Sequence, residues 1–110
     1  MKSILKALVN ASSIPVILSM LERGDTYGYE IIQRMKAYTN EQVVWQEASI
    51  YPQLARMEKG GMIKSYWRMS QSDRPRKYYT ILADGQKQLE FNKQELQRLN
   101  GVFERLWSPG

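Results

Sequence analysis

The 110-residue sequence contains no cysteine and no histidine. Disulfides are impossible, and Cys/His zinc sites, imidazole general bases and thiol nucleophiles are excluded. Carboxylates are present, but no paired arrangement stands out, so the sequence predicts no enzyme, no cofactor and no metal. Long apolar runs are also missing. The longest, near Ile14–Leu21, is broken by Pro15 and Ser19, and no membrane-spanning segment is expected. The opening MKSILKALV has the outline of a signal peptide, but Lys6 and Asn10 interrupt its apolar run and no small-residue cleavage site follows. A cytoplasmic location is expected, and the glycosylation pattern at Asn10–Ser12 carries no weight without secretion. No internal repeat or low-complexity tract is present.

What remains is a chain of the length of one compact domain, 43% apolar, with a formal net charge of +5. That charge fits a polyanionic partner or simply a basic surface. Ile14, Ile17, Leu18 and Leu21 recur at helical spacing and predict a helix over Ile14–Arg23, capped by Ser13. Lys2–Val9 forms an arm before it or continues it through a kink. A second helix is expected from Tyr27 to Tyr38, with Tyr27, Ile31, Met35 and Tyr38 on one stripe and Glu30 in its first turn. Thr39-Asn40 marks its exit.

The stretch EASIYPQLARMEKGGMI has two decided faces. Ile50, Leu54 and Met57 cluster on one side at about 100° per residue. Ser49, Pro52, Arg56 and Lys59 fall roughly opposite, with Gln53 at their flank. Pro52 requires an early position, so this third helix is expected to start close to Ser49. Gly60-Gly61 stops it. Two strand-like runs follow, Met62–Met69 and Arg76–Leu82, joined by a turn-rich connector with Pro75 at the tip or an edge. Ala83–Trp107 reads as one long helix. Leu89, Leu96 and Phe103 repeat every seven residues, as do Asn92, Leu99 and Leu106, which makes a short two-position seam.

Three helices, a hairpin and a long helix are the order of a winged helix-turn-helix: mainly α, with a β-hairpin wing and a long C-terminal dimerisation helix. The division expected is 1–82 for nucleic-acid binding and 83–110 for dimerisation, within one compact unit. The third helix would enter the major groove. Its polar face then has a use, because Ser49, Gln53, Arg56 and Lys59 can reach phosphates and base edges, Arg suiting guanine and Gln adenine. Arg68, Arg74, Arg76 and Lys77 crowd the hairpin against one acid, Asp73, which suits phosphate or minor-groove contact. Both features also have plainer uses, as a solvated helix face and as protection of strand edges. The competing function is a winged-helix protein-interaction module without specific DNA readout.

The segments YGYEI (Tyr27–Ile31), SIYPQLARMEKGGMI (Ser49–Ile63) and RPRKYYTI (Arg74–Ile81), followed by Gly85, resemble the PadR-like transcriptional regulators over roughly Ile17–Leu89. The resemblance implies a prokaryotic winged-helix repressor that binds double-stranded DNA as a homodimer through its last helix and is relieved by a ligand or stress signal. The short C-terminal part resembles the small subgroup with one dimerising helix. By position, Tyr51, Pro52, Gln53 and Arg56 fall on the family's recognition helix, and Arg74, Arg76 and Lys77 on its wing. Tyr78 and Tyr79 match paired aromatics of the second wing strand, and strand alternation predicts one facing the core and one facing out. Where the family usually has Thr, this chain has Leu82, so Asp84 or water is expected to cap the last helix.

Leu89, Asn92, Leu96, Leu99, Phe103 and Leu106 are the expected dimer seam, with Asn92 helping to fix register. They could instead cover the chain's own core. Phe91, Phe103 and Trp107 are candidates for stacking a small aromatic inducer, although dimer packing is the preferred reading of Phe103 and Trp107, given their helical spacing.

Overall fold

The computed structural model describes residues 1–110. Its elements follow in the order α1 (Ile4–Ala11), α2 (Ser13–Arg23), β1 (Thr26–Tyr27), α3 (Gly28–Tyr38), α4 (Glu47–Lys59), β2 (Ile63–Met69), β3 (Pro75–Ile81) and α5 (Ala83–Trp107). The fold is a winged helix-turn-helix with a long C-terminal helix, as the sequence predicts. One core gathers Ile17, Leu18 and Leu21 of α2, Ile31 and Met35 of α3, Ile50, Leu54 and Met57 of α4, Ile63 of β2 and Leu89 of α5. Each such side chain contributes about 1.5–3 kcal/mol by leaving water.

Ser12, rather than the expected Ser13, stands at the start of α2, and it makes no side-chain cap. It serves two helices through its backbone. Its N–H donates to the carbonyls of Leu8 and Val9, and its carbonyl accepts from Val16. The Lys2–Val9 arm is thus a separate helix, bent by 67° from α2 and burying no residue of its own. No single helix is long and apolar enough to cross a membrane.

In α3 the buried stripe is Ile31, Ile32 and Met35, whereas Tyr38 is 61% exposed. Tyr38 leaves the expected stripe because its hydroxyl accepts a hydrogen bond from Arg23 at the surface, at 3.1 Å. The turn after α3 is tied down by Thr39, whose hydroxyl donates to the Met35 carbonyl (2.8 Å) and accepts from the Val43 N–H (3.0 Å). Val43 plugs the core beneath it.

Helix α4 begins at Glu47, two residues before the start that Pro52 led us to expect. Pro52 is tolerated inside it because Pro52 and Ala48, whose carbonyl loses its helical donor, both lie on the exposed side, where water replaces the bond. The exit is a Schellman motif. The Met62 N–H donates to the Met57 carbonyl and the Gly61 N–H to the Glu58 carbonyl, with Gly61 in the left-handed region at φ 79°.

Strand β1, two residues long, has no periodic signature and was not foreseen. It pairs antiparallel with β3, which makes β3 the central strand in the order β1-β3-β2. This corrects the expectation for Tyr78 and Tyr79, both of which are buried. They do alternate in direction, but the outer face at Tyr78 is itself covered. Register places Tyr27 and Tyr66 on either side of it, with ring centroids at 5.1 and 6.0 Å, and the Arg68 guanidinium lies 4.0 Å above its ring. The Tyr66 hydroxyl in turn donates to Asp25 at 2.6 Å.

Helix α5 follows its N-cap residue, Leu82, without any side-chain cap, Asp84 included. The Leu82 N–H donates to the Met62 carbonyl at 2.9 Å, and Asp84 contributes only its charge, at the positive end of the helix dipole. Gly85 is pressed against the start of β2, and a Cβ there would lie 2.1 Å from the Met62 carbonyl oxygen. Beyond Leu89 no residue of α5 is buried. The radius of gyration, 15.8 Å, exceeds the roughly 13 Å of a compact chain this long because α5 projects away from the core.

Candidate nucleic-acid interface

The buried stripe of α4 leaves Ser49, Tyr51, Pro52, Arg56 and Lys59 exposed and Gln53 half-exposed at their flank. One continuous helix face therefore brings together all six recognition-helix candidates. Within it the Gln53 side-chain carbonyl accepts from Arg56 Nη2 (2.6 Å) and Nε (3.2 Å). The guanidinium is held in position, with its remaining N–H groups free to donate outward.

Tyr51 is fixed from the other side by α3. A Cβ on Gly28 would lie 2.7 Å from its ring, so the glycine of YGYEI makes room for the aromatic of the recognition helix. Burial, and then the neighbouring Glu47 carboxylate, raise the Tyr51 hydroxyl pKa, with Arg76 opposing. The hydroxyl therefore stays a donor at any physiological pH.

At the wing, Ser70–Arg74 form the turn between the strands. The Ser70 N–H donates to the Arg74 carbonyl and Asp73 sits in the left-handed region at φ 57°. Arg74 and Lys77 are exposed there. Arg76 is not displayed in the same way. Its guanidinium lies over the rings of Tyr27 (4.8 Å) and Tyr29 (5.6 Å), and its Nε is buried without a partner. It joins the wing to the start of α3 by cation–π packing. Behind the wing, Glu58 of α4 accepts from both the N–H (3.0 Å) and the hydroxyl (2.7 Å) of Ser65, which lowers its carboxyl pKa. The wing is thus tied to α4 and to α3.

Sequence reasoning missed a third contributor. The Asn10 side-chain carbonyl accepts from the Trp45 indole N–H at 2.8 Å, which fastens α1 beside the recognition helix. Nothing in the local pattern pairs two residues 35 apart. Tyr29 lies off the core stripe of YGYEI and is exposed, so helical periodicity does not point to it.

The expected seam is divided by the structure. Leu89 must be removed from it, because it is 1% exposed and packs α5 into the chain's own core. Its place in the seven-residue repeat reflects intrachain packing. Asn92 is half-buried and accepts from Gln88 within the helix, at 3.0 Å. Leu96, Leu99, Phe103 and Leu106 are exposed, together with Val102, which the seven-residue repeat omitted. Among the candidate ligand residues, Phe103 and Trp107 stack on one another with centroids 5.0 Å apart. Phe91 stands alone, twelve residues and about 18 Å along the helix from Phe103.

A groove-sized helix with a polar face, braced against a basic wing, defines a DNA-binding transcriptional regulator of the winged-helix class. Comparison with known proteins narrows the class. The model of the transcriptional regulator PadR-like family matches residues 17–91, and the chain belongs to that family. A protein of Lysinibacillus sphaericus is 35% identical over 74 residues, 67% of this chain and 68% of that one. A PadR-like transcriptional regulator from Bacillus cereus superposes with a TM-score of 0.82 at 29% identity, over 94% of this chain and 99% of that one. A transcriptional regulator from Clostridium thermocellum gives 0.78 at 32% identity, covering 93% and 99% of the two chains.

Proposed function

We propose that the protein is a cytoplasmic repressor that binds a pseudo-palindromic operator as a homodimer. Residues 1–82 supply the DNA contacts and residues 83–110 the dimer contact. The division of α4 into a buried stripe and an exposed face carrying Ser49, Tyr51, Gln53, Arg56 and Lys59 carries the reading. Such a face, braced by Arg74 and Lys77 on the wing, is matched to a groove walled by phosphate. Dimerisation is supported by the uncovered apolar stripe of α5, Leu96, Leu99, Val102, Phe103 and Leu106, which costs free energy while it faces water. Two recognition helices about 34 Å apart then call for two half-sites one helical turn apart. The inducer is a small aromatic compound held near Phe103 and Trp107, at the free end of α5, and it acts by binding the DNA-free dimer more tightly than the complex.

The test is a footprint on the DNA upstream of the protein's own gene, followed by a salt titration of the protected site. A protected region with two-fold symmetry is expected, with log affinity falling against log salt by about 0.9 for each phosphate neutralised. Weak binding without sequence preference would leave an interaction module as the function.

A further inference from the structure

Between α1 and the start of α4 lies an open cavity of about 390 Å³. Its lining includes the recognition-face residues Ser49, Gln53 and Arg56 of α4, Lys6 and Asn10 of α1, and Trp45. Lys6 and Arg56 are its only charged linings, and no acid faces it. A cavity open to the surface, with one cation from each of two helices and with amide and hydroxyl donors, fits an oxyanion.

The placement of α1 supports the same use. The helix buries none of its own residues, yet the 2.8 Å bond from Trp45 to Asn10 fixes its direction. Lys6 and Asn10 are four residues apart and share one face, so orienting Asn10 also orients Lys6. Ile4, Leu5 and Leu8 occupy a different face, so the cavity side of α1 is its polar side.

We propose that this cavity receives a backbone phosphate of the operator, with Lys6 as the contacting cation and the Asn10–Trp45 bond as the device that positions it. The inference rests on the DNA-binding reading above. A free phosphate-bearing metabolite has the same chemistry. The operator is the favoured source because Ser49, Gln53 and Arg56 face DNA in that reading, so a docked duplex necessarily lies over the cavity mouth.

The experiment measures operator affinity against salt for the wild type, Lys6→Gln, Asn10→Asp and, as a control for charge outside the cavity, Lys2→Gln. Lys6→Gln is expected to flatten the log–log slope by about 0.9 per protomer, about 1.8 for a dimer, with the preference for operator over random DNA unchanged. Asn10→Asp keeps an acceptor for Trp45 but places a carboxylate in the cavity, and it should weaken binding about tenfold or more without lowering the melting temperature. Lys2→Gln should leave the slope as in the wild type. An unchanged slope for Lys6→Gln, or equal changes for Lys2→Gln and Lys6→Gln, overturns the proposal while leaving operator binding intact. A wild type that does not bind DNA specifically overturns the underlying reading instead. Inorganic phosphate is titrated in parallel at constant ionic strength, following the Trp45 indole N–H resonance. A saturable shift, lost in Lys6→Gln, combined with a wild-type slope for that variant, assigns the cavity to a free anion and refutes the operator source.

Discussion

Replacing Gly85 by alanine separates packing from helix propensity, because the two push in opposite directions. Alanine is favoured over glycine inside a helix by about 1 kcal/mol. At Gly85, however, the added Cβ would stand 2.1 Å from the Met62 carbonyl oxygen and 2.9 Å from Ile81 Cγ1. The obstruction is backbone, and it is backbone in use, since the same carbonyl accepts from the Leu82 N–H at 2.9 Å. Relief requires α5 to lift by about an ångström, which weakens that bond and loosens Leu89. Overpacking of about 1–3 kcal/mol plus a lost hydrogen bond of about 1 kcal/mol, less the propensity gain, leaves a net destabilisation of about 1–3 kcal/mol. For a chain of this size that lowers the melting temperature by about 5–15 °C. Gly101 is the internal control. It lies in the same helix, on the side away from the apolar stripe, and its Cβ would meet nothing closer than an Arg105 nitrogen at 3.7 Å. Gly101→Ala should stabilise by up to about 1 kcal/mol. Urea unfolding followed by circular dichroism, at matched protein concentration, measures both. A Gly85→Ala protein as stable as the wild type would refute the close approach of α5 to β2.

Arg56→Ala should cost about 1–3 kcal/mol in operator affinity with little change in stability, since the position faces away from Ile50, Leu54 and Met57. A uniform loss across sequences, read by competition with random DNA, would reassign Arg56 from base to phosphate. Ser65→Ala removes the hydroxyl that helps to lower the Glu58 pKa, and at neutral pH it should cost about 1 kcal/mol, discounted because the pair is near the surface. A depressed carboxyl stabilises the fold above its unfolded pKa and loses that contribution as pH falls, so the gap between variant and wild type should close on acidification below about pH 4.5. A gap that widens in acid contradicts this linkage. Leu99→Asp should convert the dimer to monomer and abolish operator binding. A wild type that sediments as a monomer yet binds its operator tightly contradicts the dimer.

Periodicity made the helices of the core legible, together with the two faces of α4, because both follow from a repeat of 3.6 residues. The wing charges were legible as composition. What escaped the sequence were contacts between distant segments. Two-residue β1 has no pattern, and without it the burial of Tyr78 could not be anticipated. Arg76 reads as a wing cation until Tyr27 and Tyr29 are seen beneath it. Leu89 obeys a seven-residue repeat that cannot say whether the partner is another chain or α2. The glycine in YGYEI and Gly85 were visible as motif letters, but their reason is steric and lies in Tyr51 and Met62.

The attachment of α5 also has a mechanical consequence. Its buried residues, Gly85 and Leu89, both lie in its first two turns; Lys93 still reaches Glu22 of α2 at 3.1 Å, and none of the eighteen residues after Leu89, as far as Trp107, is buried. At 1.5 Å per residue this is a rod of about 27 Å hinged at one end, so a swing of about 5° at Leu89 displaces the tip by about 2 Å. In the proposed dimer, two such rods meeting along this stretch would add their displacements. A modest tilt at either end of that dimer would reset the spacing of its recognition helices by several ångströms, further than base-edge hydrogen bonds stretch. On the proposed reading, small movements where α5 leaves the core would be geared up into gain or loss of fit to the operator's helical repeat.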